Sequence, residues 1–205
     1  MFASLSRRTP VRWALWNAGL LRPATQTTAA ERACIARHAT GRKRLVEIGV
    51  FNGMTTLEIR KVMAPDAILW AVDPFPKGKL GFCLDERIAR HTIGRSENGS
   101  VEFVLMTGTE AARRHRDTNL LAVDFIFIDG DHSWSGIEAD WTGWLPLVAP
   151  GGVIALHDSR SYPGRVVTHD SARYTAEVVR LDPRVEVIDE VDTITVLRVR
   201  NAQPA

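Results

Sequence analysis

The sequence predicts an α/β fold, a doubly wound and mostly parallel sheet with helices on both faces. Three observations predict it. Short apolar runs of strand length alternate with segments of helical period along most of the chain. The first run, Leu45 to Val50, meets two glycines, Gly49 and Gly53, and passes directly into a helical pattern that opens at Met54. Run after run also closes on a glycine or a polar residue: Gly49, Asp73, Thr107, Asp129, then His157 and Asp158. Ligands of open α/β sheets bind beyond the carboxyl ends of the strands, so these residues are expected to converge on one crevice.

The bulk properties set the frame. A chain of 205 residues, 45% hydrophobic and 24% charged, has the size and composition of one domain with a full core. A net charge of +2 is too small to argue for a nucleic-acid partner. Cys34 and Cys83 lie far apart without metal-like spacing, and are expected as two lone thiols of a reducing cytosol, with pairing as the alternative. No apolar run approaches the roughly 20 residues of a membrane span. Ser6-Arg7-Arg8-Thr9 followed by Trp13–Leu21 has the outline of a twin-arginine signal. The stretch is short, holds Asn17 and stops at Arg22-Pro23 without a clear cleavage site, so a cytoplasmic protein is expected. Trp13, Trp16 and Leu20 can share one face of a short helix, packing on the domain or on a second subunit of a homo-oligomer. A helix lying on a membrane surface is the less favoured reading.

The elements follow in order. Thr28 with Glu31 three residues later reads as a capped helix start, with Ala30, Cys34, Ile35 and His38 on one face and Gly41 closing it. The first strand and its helix run to about Met63. Ile68–Val72 is a second buried strand ending at Asp73-Pro74. Residues 74–100 form a long insertion with a helical stretch around Leu84–Ile93, of the kind that often serves as a lid or binding loop. Val101–Leu105 is a third strand, after which Thr109 can cap a basic helix. Leu121–Ile128 is a fourth, followed by a helix carrying Ile137, Trp141, Trp144, Leu145 and Val148, an aromatic stripe most simply read as core. Pro150-Gly151-Gly152 turns the chain into a fifth strand, Val153–Leu156. A helix near Ser171–Arg180 and two runs, Val185–Ile188 and Thr193–Val199, complete the chain. The last two are too close for an intervening helix, so they are expected to form an antiparallel hairpin.

The glycine turn distinguishes three ligands. A dinucleotide fingerprint wants G-x-G-x-x-G with an acid about 20 residues on. Here Asp73 supplies the acid, but the middle glycine is missing. A Walker loop needs Gly-Lys-Ser/Thr, and Gly53 is followed by Met54. The third possibility is a nucleoside without a pyrophosphate. Glu47-Ile48-Gly49-x-x-x-Gly53 resembles the first motif of class I S-adenosylmethionine-dependent methyltransferases. The resemblance continues through Asp73, Thr107-Gly108, Asp124–Trp134 and Trp144–Asp158, and spans residues 27–199. It is to the branch of natural-product sugar O-methyltransferases and cephalosporin-hydroxylase-like proteins. It implies a Rossmann-like sheet of seven strands with the last antiparallel. It also implies an S-adenosyl-L-methionine site built from Glu47, Gly49, Gly53, Asp73, Thr107, Gly108 and Asp129, with Asp73 on the ribose and Thr107-Gly108 near the adenine. The chain then divides into an N-terminal helical extension (1–26), a methyltransferase domain (27–200) and a tail (201–205).

Methyl transfer to a hydroxyl requires the acceptor atom in line with the methyl and a base for its proton. His132 is the candidate base, because imidazole titrates near neutral pH. Asp131 is the second choice, or the group that orients His132. The structural alternative is that both only cap the following helix. Asp129, His157 and Asp158 form a candidate site for Mg²⁺ or another divalent ion, which would lower the acceptor hydroxyl's pKa. In the resembling enzymes both strand-five ligands are acidic. Here the first is His157, which shifts the expectation toward softer metals. Without a metal, Asp129 would face the sulfonium and Asp158 would bond across the crevice. The expected activity is O-methylation of a small hydroxylated acceptor of sugar or natural-product type. The alternatives are an NAD(P)-dependent oxidoreductase and a non-catalytic S-adenosylmethionine-binding subunit.

Overall fold

The computed structural model describes residues 9–201 apart from Leu80, Asn119 and Leu121. Residues 6–8 of the twin-arginine-like segment and most of the expected tail lie outside the described residues. Helices α1 (Thr9–Asn17) and α2 (Ala29–Ala39) precede the first strand, β1 (Arg44–Ile48). Then follow α3 (Met54–Val62), β2 (Ile68–Val72), α4 (Leu84–Ile93), β3 (Ser100–Val104), α5 (Gly108–Asp117) and β4 (Val123–Ile128). The chain ends with α6 (Trp134–Trp144), β5 (Val148–Leu156), α7 (Asp170–Glu177), β6 (Val185–Val191) and β7 (Ile194–Val199).

The seven strands form one sheet in the order β3-β2-β1-β4-β5-β7-β6. Pairing is parallel from β3 through β5, and β7 is antiparallel to both its neighbours. The expected Rossmann-like sheet, with helices flanking it and the last strand reversed, is the one observed. The chain winds outward from β1 through β2 to β3, then returns to β1's other edge with β4. The switch point is therefore between β1 and β4, where Ile48 pairs with Ile128 and the Asp129 N–H donates to the Ile48 carbonyl at 2.8 Å. The next residues, Gly49 and Asp129, emerge side by side.

Strand alternation sends successive side chains to opposite faces. Val46, Ile48, Ile126, Ile128 and Ile154 enter one core with Trp141, Trp144 and Tyr174. Leu45, Phe125, Phe127, Val153 and Ala155 enter the other with Cys34, Ile35 and Ile59. The stripe of α6 is thus core, as its spacing predicts. The buried Trp144 indole N–H is satisfied by the Gly108 carbonyl at 3.0 Å, which ties α6 to the start of α5.

Several boundaries differ from expectation. Thr107, not Thr109, caps α5. Its hydroxyl accepts from the Glu110 N–H while Glu110 returns the bond to the Thr107 N–H, a reciprocal capping box that closes two free donors at once. Strand β5 begins at Val148, so Pro150-Gly151-Gly152 lies inside it, at a register shift against β4. On α2, Ala30 is exposed and Glu31 takes the buried position beside Cys34 and Ile35. Helix α1 ends before Leu20, which is exposed. Trp13 stacks obliquely on Phe82 at 5.4 Å and Trp16 meets the His91 ring edge-on at 5.3 Å, so this helix packs on the chain's own insertion. Both cysteines are free. Among the described residues no helix is long and apolar enough to cross a membrane.

Candidate functional site

A cleft of about 680 Å³ opens at the switch point. Gly49, Asp73, Thr107, Gly108, Asp129 and Asp131 border it, whereas Glu47, Gly53, His132, His157 and Asp158 do not, so the expected convergence holds for the ends of β1 to β4 and not for the end of β5. A second cavity of about 250 Å³, bounded by apolar residues such as Trp70 and Trp144, lies along β2, β3 and α5 and holds none of them.

The turn from β1 to α3 is built for close approach. Gly49 has φ +88° and Gly53 φ +75°, the left-handed region that favours glycine. Phe51, at the place of the missing middle glycine, also adopts φ +50°. Asp73 supports this conformation. One carboxylate oxygen accepts from the Val50 and Phe51 N–H groups at 3.1 and 3.2 Å, and the other from Phe75 N–H at 2.8 Å. The turn is braced from outside by Asn52. Its side chain accepts from Ala24 N–H at 3.0 Å and donates to Asp85 at 2.8 Å, and Asp85 is also paired with Arg12 of α1 at 2.9 Å. The 74–100 insertion contributes Phe75, Cys83 and Asp85 to the cleft wall.

Glu47 is sealed beneath the turn. Neither carboxylate oxygen has a well-formed hydrogen bond, and burial pushes its pKa well above the carboxylate range against a small opposing effect of Thr56. On the far wall, Asp140 stands so close to Gly108 that a Cβ there would lie 2.3 Å from its Oδ1. Burial, with the nearby Asp131 charge, raises the Asp140 pKa to about 6. Ser133 caps α6, its hydroxyl accepting from Gly136 N–H, so neither Asp131 nor His132 is the cap; Asp131 accepts from Ser133 N–H at 2.9 Å in the turn before the helix.

His132 turns instead toward Asp129, with Nε2 3.0 Å from Asp129 Oδ1. His157 Nδ1 lies 2.8 Å from the same oxygen. His132 Nδ1 stands 3.6 Å from Asp158 Oδ2, which also faces His169 at 3.7 Å, while Arg165 holds Asp158 Oδ1 at 3.1 Å. Asp158 occupies a left-handed turn, φ +45°, fixed by the Ser171 hydroxyl donating to its carbonyl at 2.8 Å. Behind His157 lies Glu31, with Oε2 3.5 Å from His157 Nε2. Burial opposes ionisation of both groups, but the contacts outweigh it. The bond to Asp129 and the nearby Glu31 carboxylate raise the His157 pKa to about 10, and the nearby His157 with bonds from Thr193 and Thr28 lowers that of Glu31 to about 2. Burial likewise works against the Asp129 carboxylate, yet the two histidines hold its pKa below the ordinary value.

The candidate metal residues do not converge as expected. The donor sets that come together are Asp129, His132 and His157, and separately His132, Asp158 and His169. His132 is common to both, and Asp129 and Asp158 fall in different sets. The first offers two imidazoles and one carboxylate, a poor match for Mg²⁺, which takes oxygen ligands in octahedral geometry. Its 2.8 and 3.0 Å separations are hydrogen bonds.

Glu31, Asp85, Asp140 and Arg165 were not among the expected site residues. Glu31 was visible only as the third position of a capping box. Its contact with Thr193 joins residues 162 apart in the chain, which no local pattern reports.

The glycine turn, the acid at the end of β2 and the seven-stranded order together define a class I S-adenosylmethionine-dependent methyltransferase. The chain belongs to the methyltransferase-domain family (Methyltransf_24), whose model matches residues 46–159. The cofactor-bound structure of Rv0187 from MTB superposes with a TM-score of 0.69 at 20% identity, covering 98% of this chain and 94% of that one. The O-methyltransferase TomG from Streptomyces achromogenes, involved in tomaymycin synthesis and solved with SAM, gives 0.66 at 17% identity, covering 92% and 86%. At these identities the likeness is one of fold. A curated protein of Sinorhizobium fredii, y4gI, itself uncharacterized, is 26% identical over 128 residues; the match takes in 60% of this chain but only 14% of that longer protein.

Proposed function

We propose that the protein O-methylates a small hydroxylated acceptor of the sugar or natural-product type, with S-adenosylmethionine as donor and His132 as general base. The observation that carries this reading is the position of Asp129. It borders the donor cleft and, through Oδ1, holds His132 Nε2 at 3.0 Å. The donor supplies an activated methyl group, passed to the acceptor oxygen as its carbon–sulfur bond breaks. Gly49 and Gly53 let the backbone approach the amino-acid end of the donor, Asp73 takes the ribose hydroxyls, and Thr107-Gly108 flank the adenine. Glu47 lies beneath the turn, where burial raises its pKa well above the ordinary carboxylate value.

Asp129 fixes the His132 tautomer with the proton on Nε2. Nδ1 is then the nitrogen that takes the acceptor's hydroxyl proton, and Asp158 Oδ2, 3.6 Å away, stabilises the imidazolium that results. Neutral acceptor hydroxyls have pKa values far above 7, so a base placed in this way contributes about 10²–10⁴-fold in rate. Asp131, bonded to Ser133 N–H in the turn before α6, acts on His132 only by shaping that turn. A panel of sugars and phenols incubated with methyl-labelled donor tests the proposal. Label is expected on oxygen, and His132→Gln should remove at least about 100-fold of the rate while leaving S-adenosylhomocysteine affinity nearly unchanged. Label on nitrogen or carbon, or an unimpaired His132→Gln enzyme, would contradict it.

A further inference from the structure

Helix α6 buries one face through Ile137, Asp140, Trp141 and Trp144. Ile137, Trp141 and Trp144 enter the core; the remaining member of the stripe is an acid. Asp140 is 5% exposed, and among the described residues its carboxylate has no hydrogen-bond or ion-pair partner. A carboxylate at a buried stripe position works against the fold unless something meets its charge. Its raised pKa records the same unmet charge. Glu47 is also buried without a well-formed bond, but it does not border the cleft, whereas Asp140 does.

The walls on either side give the Asp140 carboxylate its place. Oδ1 would lie 2.3 Å from a Cβ on Gly108, and Oδ2 3.2 Å from a Cβ on Gly130. The carboxylate thus stands between the start of α5 and the end of β4, in a gap that two glycines leave open. Asp131 borders the same part of the cleft, but it is exposed and one of its oxygens is taken by Ser133 N–H. Asp73 lies at the end of β2, with both oxygens used by the turn. Asp140 is therefore the carboxylate in this cleft that is both buried and free to accept.

We propose that Asp140 reads the base of the methyl donor: its carboxylate accepts the exocyclic N–H of a 6-aminopurine, so that the cleft discriminates against purines without that group. The inference rests on the methyltransferase reading, which puts the base beside Thr107 and Gly108. The ring nitrogens of adenine that remain free in a nucleoside are acceptors, and the 6-amino group is its N–H donor. A purine without that group leaves the Asp140 oxygens as unmet as they are in the empty cleft. A site built around a hydrogen bond to a ligand N–H rejects the analogue that lacks it, because its own buried polar group stays unpaired. Asp140 is a binding residue and takes no part in moving the methyl group or the acceptor's proton.

The test is calorimetric titration of the full-length protein with S-adenosylhomocysteine and with its analogue carrying hydrogen in place of the 6-amino group. The wild-type protein should bind the amino compound at least about tenfold more tightly. Asp140→Leu keeps the size of the side chain and removes the acceptor; it should bring the two affinities within about twofold of each other. Asp140→Asn keeps a carbonyl oxygen and should retain part of the preference. Equal binding of the two compounds by the wild-type protein would overturn the proposal, and that arm does not depend on a variant folding. A folded Asp140→Leu protein that keeps the full wild-type preference would also overturn it. Failure of the wild-type protein to bind S-adenosylhomocysteine would overturn the methyltransferase reading and this proposal with it, whereas equal binding of both compounds overturns this proposal alone.

Discussion

Gly49 and Asp129 meet backbone to backbone: a Cβ on Gly49 would stand 1.9 Å from the Asp129 carbonyl oxygen. This contact joins the donor turn to the strand end that carries the proposed base. It occurs at the switch point between β1 and β4, and it also requires φ +88° at Gly49. Gly49→Ala therefore faces a clash with fixed backbone as well as a left-handed conformation. We expect a loss of about 2–4 kcal/mol in stability and loss of donor binding, checked by denaturant melts and calorimetry. A Gly49→Ala protein that binds S-adenosylhomocysteine normally would refute the geometry of the turn.

Phe51 holds φ +50° without the freedom of glycine. Its side chain is 37% exposed, so most of the cost of replacing it is conformational. Comparing Phe51→Gly with Phe51→Ala cancels the lost ring. The glycine variant should be the more stable by about 1 kcal/mol. Equal melting curves would mean that the turn does not keep this conformation in solution.

Asp73 accepts three backbone N–H groups, from Val50, Phe51 and Phe75. Asp73→Asn presents an amide N–H where one oxygen was, leaving one or two donors unpaired. A stability loss of about 1–3 kcal/mol is expected, with donor affinity reduced at least about tenfold, because both the turn and the ribose contact suffer. Weakened binding without any loss of stability would assign Asp73 to the ligand alone.

The Glu31–His157 pair sets a pH window for stability. The Glu31 pKa falls from 4.5 to about 2 on folding, so its contribution is full above 4.5 and is lost as the pH drops toward 2. The His157 pKa rises from 6.5 to about 10, so its contribution is full below 6.5 and is lost as the pH climbs toward 10. Stability from this pair should plateau between about pH 4.5 and 6.5 and fall on both sides. Glu31→Gln should remove the acid-side slope and shallow the alkaline one, as followed by melting temperature across the range.

Asp140 has the opposite sign. Its pKa is raised from 3.8 to about 6, so ionisation at neutral pH works against the fold. Asp140→Asn should raise stability at pH 7 by about 1–3 kcal/mol and give no gain well below pH 3.8. A loss at pH 7 would show that the carboxylate has a cationic partner in the folded protein.

The sheet could be read from the sequence because each strand carries its own local signal: an apolar run, a punctuating residue and a helix of matching period. The convergence of Gly49, Asp73, Thr107, Gly108 and Asp129 follows from topology alone, since parallel strands send their carboxyl ends the same way. What was not legible depended on side-chain direction and on contacts distant in sequence. His132 and Asp131 are adjacent, but the Ser133 cap turns one into the helix start and the other toward Asp129. Asp158 follows His157 directly, yet its left-handed turn aims it at Arg165 and His169 and so splits the expected metal set. Glu31 showed one role, the cap, while its second oxygen served Thr193 in the turn between β6 and β7, at the other end of the chain.

Calorimetric titration of the purified full-length protein with S-adenosylhomocysteine tests the central claim most directly. One-to-one saturable binding is expected, weakened at least about tenfold by Asp73→Asn and retained by His132→Gln. A folded protein that shows no binding, or in which NADH competes for the same cleft, would contradict it.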